Sequence, residues 1–314
     1  MIVANRVIYI KLGQGGKWEQ ECIEERQTVR LGYYYGEHLF ELCLAGRWDA
    51  VEEALRERHR EWVAREHVKH LRLFYEADSG AVWITFYSNR LWWCRAESEV
   101  VLVPNEKDRE DPVVQERRVL GKWSCEDLEG NDLDFSRLSG KLLALRSYRW
   151  TTAELLPELA KYAVLKINGG VPQSAQAATD ARTALVGATA EAIRSLHPGD
   201  FEILVDLVFR QAGWNRMSEV GGVQKTIDLD LQMPITNRRC AVQVKSRIGG
   251  PDLMKRIESL VALEYDDKYL VVHSPEGKIP ESAADMGVKI IRANGLAEWC
   301  VGLGLVDWVV NKAC

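Results

Sequence analysis

Long apolar runs are missing from this chain. None approaches the roughly 18 consecutive apolar residues that a membrane-spanning helix requires, so a membrane protein of that kind is excluded. The opening segment, MIVANRVIYIKLGQGG, has no charged lead followed by a long apolar stretch, and the expected location is cytoplasmic. Paired cysteines are missing as well. The seven (Cys22, Cys43, Cys94, Cys125, Cys240, Cys300, Cys314) are scattered and contain no C-x-x-C, which argues against zinc or redox work and leaves small buried hydrophobes as their expected role. A large excess of one charge is lacking: the formal net charge is −5, so any nucleic-acid footprint must be a local patch. The GQGG at 13–16 is not followed by Gly-Lys-Ser/Thr and reads as a turn, not a nucleotide loop. There is no internal repeat and no low-complexity tract.

What is present suits a globular protein. The 314 residues are 46% hydrophobic, enough for one large domain or two ordinary ones. Eight of the eleven tryptophans fall in the first 150 residues, which marks a division. The spacing predicts an α+β, aromatic-rich domain over 1–166: a strand at VIYIKL, one charged helical stretch over 47–71, a hairpin of AVWITFY and RLWWCRA turning at Ser88 and Asn89, and a strand at VVLVP. An Ala-rich segment predicts a helical connector within 167–198. Residues 199–314 then read as a compact α/β domain with a mixed sheet flanked by helices. Its expected elements are a helix capped by Asp200 and ended by Gly213, a strand pair over 226–247, a helix at 251–264, strands at KYLVVHS and VKIIRA, and a single terminal helix over 295–312.

The strand pair carries chemistry. Alternation puts Ile227, Leu229 and Leu231 on one face and Asp228, Asp230 and Gln232 on the other; on the next strand Cys240, Val242 and Val244 oppose Ala241, Gln243 and Lys245. A hairpin with 233 opposite 240 sets 228 against 245 and 230 against 243. The shared face survives any register whose paired numbers sum to an odd value. Two carboxylates, an amide oxygen and an ammonium in one patch match the needs of phosphodiester hydrolysis: oxygen ligands for Mg²⁺, and a cation for the developing charge. Asp228 and Lys245 taken alone also fit an ordinary cross-strand ion pair. Glu202, near a helix start, is either a further carboxylate of the site or a first-turn stabiliser. His273, ending a strand, reads as structural or as a neighbour of substrate. A basic stretch holds Arg238, Arg239, Lys245, Arg247, Lys255 and Arg256 against the single acid Asp252, and fits either DNA phosphates or a solvated face.

Phe201-Glu202 opening a helix, Gly213-Trp214 after it, Ile227-Asp228 on one strand and Gln243-Val244-Lys245 on the next resemble the Mrr-type branch of the PD-(D/E)xK restriction endonuclease superfamily, in which Gln replaces the usual Glu. The resemblance covers about the last 115 residues. It implies a restriction-endonuclease-like domain with Asp228, Gln243, Lys245 and Glu202 as catalytic residues, Asp228 and Gln243 on Mg²⁺, and duplex DNA as substrate, held by Arg238, Arg239, Arg247, Lys255 and Arg256. Gln224 departs from the acid often found there, and Asp230 is an extra acid without an assigned role. In the first half, YIKLGQGGKW, LGYYYG, VWITF and LWWC resemble PUA-like folds, which include YTH and EVE domains. That likeness implies a modified-base pocket, expected at Tyr33, Trp83, Trp92 and Trp93. Together they describe a modification-dependent restriction enzyme acting as a homodimer, since one site per chain cuts one strand. The rival expectations are a non-catalytic nucleic-acid-binding protein with a degenerate nuclease fold, and a junction resolvase or RNase.

Overall fold

The computed structural model describes residues 1–105, 111–217, 227–276 and 286–313, which form two compact units, Met1–Gln173 and Ser174–Cys314. Both are mixed α and β. No helix among the described residues is long and apolar enough to cross a membrane.

The first unit holds β1 (Val7–Ile10), β2 (Thr28–Leu31), α1 (Glu37–Leu44), α2 (Trp48–Arg56), α3 (Glu61–Glu76), β3 (Val82–Tyr87), β4 (Arg90–Cys94), β5 (Val101–Pro104), β6 (Val113–Arg118), α4 (Gly140–Leu143), β7 (Thr152–Glu154) and α5 (Pro157–Ile167). One sheet has the order β4-β3-β1-β7, with β1 and β3 parallel, and a second has the antiparallel order β2-β6-β5. Along β1, Ile8 and Ile10 enter one core while Val7 and Tyr9 enter another. A strand buried on both faces must be apolar throughout, and VIYI is. Ser88 and Asn89 both adopt positive φ, 50° and 60°, as the tight turn between β3 and β4 requires.

The helical stretch expected over 47–71 is two helices. Arg60 is extended (φ −59°, ψ 145°), and His59 packs edge-on against Tyr35 and His67, so tertiary contacts interrupt a pattern whose periodicity continues across the break. Trp83 is fully buried, stacked edge-on against Phe74 and beneath Arg117. It is core and lines no pocket. Arg117 is itself buried and donates to the carbonyls of Glu97, Phe74 and Ala77, and burial pushes its pKa down to about 10. Arg117→Met strands three buried carbonyls. It should cost about 3 kcal/mol, read as a lower denaturant midpoint at unchanged slope.

The second unit holds most of α6 (Gln173–Arg194), then α7 (Pro198–Gln211), β8 (Asn215–Arg216), β9 (Leu229–Gln232), β10 (Arg239–Gly249), α8 (Gly250–Val261), β11 (Asp267–Glu276), β12 (Lys289–Arg292), α9 (Ala293–Gly302) and α10 (Val306–Lys312). The last turns of the Ala-rich helix α6 bury Thr189, Ala190 and Ile193, the latter two in the unit's core. The sheet order is β12-β11-β10-β9-β8. Strands β10, β11 and β12 run parallel, β9 is antiparallel to β10, and β8 is antiparallel to β9. One face, with Cys240, Val242, Val244, Leu229 and Leu231, packs on α7 and α9; the other, with Ala241, Leu270 and Val272, packs on α8.

Three local expectations are corrected here. His197, not Asp200, caps α7, its ring accepting from the Gly199 amide with Pro198 in the first turn; Asp200 lies inside that turn. The terminal helix is broken between α9 and α10, where Gly304 takes φ +72°. Ile227 leaves the alternation of its strand, because β9 begins only at Leu229, and joins the α8 side of the core.

Candidate active site

The β9–β10 turn decides which residues meet. Cys240 pairs with Leu231 and Val242 with Leu229, and Met233 and Arg238 still bond across the turn, so only Pro234–Asn237 lie outside the ladder. Asn237 supplies the left-handed residue, φ +55°, that a turn this short needs. The register is therefore two residues tighter than the sequence suggested. Parity along the paired residues 229–232 and 239–242 is unchanged, with Asp230 opposite Ala241, but the ladder stops at Leu229–Val242: the Asp228 amide bonds the Val242 carbonyl, so Asp228 has no ladder partner among the described residues.

Asp228 ends the pairing with its own side chain. Its Oδ2 accepts the Val244 amide at 2.6 Å, its amide donates to the Val242 carbonyl, and Arg216 donates to its carbonyl at 3.2 Å. Lys245 stands 3.7 Å from the same Oδ2 and is about one-third exposed. Gln243 is 2% exposed, yet its Oε1 has no hydrogen-bond partner among the described residues. A buried amide oxygen without a donor costs about 1–3 kcal/mol, and it is the one feature here that an ordinary buried strand pair would not retain.

The other expected site residues fall elsewhere. Asp230 is held by Arg239 at 3.0 Å, and that guanidinium also lies over the Tyr265 ring. The extra acid is thus a structural partner, committed before any metal. Glu202 is exposed on α7, whose packed residues meet the Val242 and Val244 face, opposite to Gln243 and Lys245; no contact joins it to them among the described residues. The basic stretch divides. Arg238 pairs with Asp267 at 2.8 Å and Arg239 with Asp230, at the far end of β10 from Lys245. At about 3.3 Å per residue that separation is about 20 Å. Arg247 is exposed two residues beyond Lys245, and Lys255 and the half-buried Arg256 follow on α8, with Lys255 only loosely paired to Asp252. Gln224 lies outside the described residues. No group of three or more His, Cys, Asp or Glu side chains that could hold a metal occurs among the described residues, so a cation would rest on one carboxylate, one amide oxygen, water and substrate.

In the first unit a cavity of about 460 Å³ is lined by aromatic residues that include Trp18, Tyr33, Tyr34, Tyr35 and Trp150. Of the four expected pocket residues only Tyr33 lies here. Trp92 donates to the Tyr87 carbonyl and Trp93 to that of Glu126, which ties both rings to their own hairpin and its neighbour. The density of tryptophan in the sequence points to the hairpin; the cavity is built instead from residues within 11–18, 32–35 and 149–151 with Asp111, the last two segments over 100 residues apart. Tyr33 is locked in place: φ is +61°, its hydroxyl bonds Thr151 at 2.9 Å, and its ring stacks on His70. A bulky residue in the left-handed region is strained and persists only where its surroundings over-determine it.

Beneath the cavity lies His67, whose Nδ1 bonds the Tyr35 hydroxyl at 2.7 Å. Burial, with the neighbouring His59 and His70, lowers its pKa to about 4. An unfolded histidine titrates near 6.5, so the unfolded chain takes the proton first. The stability contributed by neutral His67 is fully present above about 6.5 and is lost as pH falls towards 4. The unfolding temperature of the full chain should drop across that window, and His67→Gln should flatten the slope. No protein-family model and no curated protein matches the chain.

Proposed function

We propose that the second unit is a restriction-endonuclease-like domain and that the protein is a divalent-metal-dependent endonuclease acting on duplex DNA. The observation that carries this reading is the buried, unpartnered Oε1 of Gln243, whose two chain neighbours, Val242 and Val244, are both hydrogen-bonded to Asp228, itself 3.7 Å from Lys245. Asp228 and Gln243 would hold Mg²⁺. What a bound Mg²⁺ supplies at such a place is polarisation of a water and positive charge against the scissile phosphate.

The side chains do the rest. Asp228 is pinned by the Val244 amide, which fixes one oxygen and leaves Oδ1 with no hydrogen bond among the described residues. Lys245, partly exposed, can swing its ammonium from Asp228 to a phosphate oxygen and stabilise the charge that grows there. Exposed Arg247 and Lys255 continue the positive surface along the strand and helix, where they contact the DNA backbone without reading bases. Arg238, Arg239 and Asp230 take no part in this reading. One site per chain cuts one strand, so a double-strand break calls for two copies.

The aromatic cavity of the first unit suits a base turned out of its helix, held between ring faces. A modified base is its proposed ligand, which makes the protein a modification-dependent restriction enzyme. Trp150→Ala should abolish preference for a modified duplex in the full chain, measured by competition between modified and unmodified oligonucleotides, and leave cleavage chemistry intact. Equal discrimination by the variant and the parent would remove this role from the cavity.

One observation favours a second reading, a binding protein with no cleavage: the described part of the site offers a single carboxylate. Incubation with Mg²⁺ and a panel of supercoiled plasmid, modified plasmid, four-way junction and RNA separates the readings. Nicking of duplex plasmid supports the proposal; cutting confined to junctions or RNA reassigns the substrate, and retention without cutting supports the binding protein.

A further inference from the structure

The second unit has another polar cavity, of about 650 Å³, at the carboxyl ends of β11 and β12, and nothing in the nuclease reading uses it. His273, Ser274, Arg194, Arg292 and Asn294 line it, together with the first residues of α9. His273 is 5% exposed; its Nδ1 is bonded to the Ser274 hydroxyl at 2.8 Å, and its Nε2 has no partner among the described residues. Helix α9 opens here with no side-chain cap and no acidic residue in its first turn. Its first amides therefore lack intrahelical acceptors, and the positive end of its dipole meets the cavity. Asn294 accepts from Nη2 of Arg194 at 3.1 Å, holding that guanidinium beside the helix start, while its Nη1 pairs with Glu191 at 2.5 Å. Burial, with the charges of Arg247 and Arg194, holds His273 below the usual histidine range.

The Arg292 guanidinium, the face of Arg194 turned from Glu191, an unpartnered imidazole nitrogen and an uncapped helix start together suit an anion with several acceptor oxygens. We propose that this cavity binds a phosphate group, separately from the metal site. The source of that phosphate, a nucleic-acid strand, rests on the nuclease reading. Arg247 and Ser274 are register partners, and Lys245 pairs with Val272 beside His273, so the cavity adjoins the proposed site across one strand although His273 faces the other side of the sheet. A phosphate held there would be a neighbour of the scissile one and would fix the strand's register.

The chain has six histidines, few enough for their imidazole ¹⁵N signals to be resolved, with His273→Phe identifying the one at issue. The test is a titration of the full chain with inorganic phosphate, in chelator so that the metal site contributes nothing. A saturable shift of the His273 signal is expected, with affinity at least about tenfold lower in Arg194→Ala/Arg292→Ala. No shift, an equal shift in the double variant, or a shift reproduced by sodium chloride at matched ionic strength overturns the site. Short oligonucleotides with and without a 5′-phosphate then compete against phosphate. Competition by the phosphorylated one alone assigns a strand end, competition by both assigns the backbone, and competition by neither overturns a nucleic-acid source while the binding of phosphate stands. Because cleavage is never measured, failure here is distinct from failure of the nuclease reading.

Discussion

Asp228→Ala and Lys245→Ala are each expected to lower cleavage by at least about 100-fold, the scale of removing one group that stabilises developing charge, while duplex affinity changes by less than about threefold. The two effects separate because affinity for duplex comes mainly from phosphate contacts by arginine and lysine, and exposed Arg247 and Lys255 are untouched by either change. The folds should also survive. The Asp228–Lys245 pair, at 3.7 Å with both side chains partly exposed, is of the kind that contributes little to stability. Asp228→Ala does remove the acceptor of the Val244 amide, so Asp228→Asn, which keeps a carbonyl oxygen there, is the cleaner companion. Single-turnover cleavage beside filter binding checks both. A variant that cuts at near the parental rate in Mg²⁺ removes its residue from the site.

The second large effect is expected at Gln243. An amide oxygen is a neutral ligand, and a carboxylate in its place adds one negative charge at nearly the same shape. Gln243→Glu should retain cleavage and reach half-maximal rate at a lower Mg²⁺ concentration. It should also carry a cost. The position is buried and next in sequence to Val244, whose amide the Asp228 carboxylate accepts, so without metal the new charge is both desolvated and repelled. Gln243→Glu is therefore expected to melt below the parent in chelator and to recover in Mg²⁺. Gln243→Leu removes the ligand and, with it, a buried acceptor that had no donor; it should be no less stable than the parent and nearly inactive. Stability and activity moving in opposite directions is what separates a ligand from a structural amide. A fully active Leu variant would end the assignment.

Much of the second unit is legible in the amino-acid order. Alternation along Cys240–Lys245 places Gln243 and Lys245 on one face without any knowledge of the partner strand, and that survives a register error because only parity matters. The error itself is local. Pro234–Asn237 closes tightly because Asn237 tolerates a left-handed conformation, which a count of turn residues does not reveal. Helix breaks at 57–60 and 303–305 were hidden for a related reason, since hydrophobic periodicity runs through both. Asp230 is an acid to which the sequence assigns no role, and Arg239, nine residues away across a hairpin, accounts for it. The aromatic cavity was the least legible feature: it joins residues near 33 to Trp150, whereas Trp83, Trp92 and Trp93 stand out only by their density and serve core and hairpin. No pattern of letters could have shown that Gln243 keeps an oxygen without a donor.

A metal centre at that oxygen is open to direct measurement. Calorimetric titration of Mg²⁺ into the full chain, beside Asp228→Ala and Gln243→Leu, tests it most directly. Saturable binding is expected in the parent, weakened at least about tenfold in Gln243→Leu and lost in Asp228→Ala, in line with the loss of one neutral and one charged oxygen ligand. Indistinguishable heats from all three proteins, or no binding by the parent, would contradict a metal centre at Asp228 and Gln243.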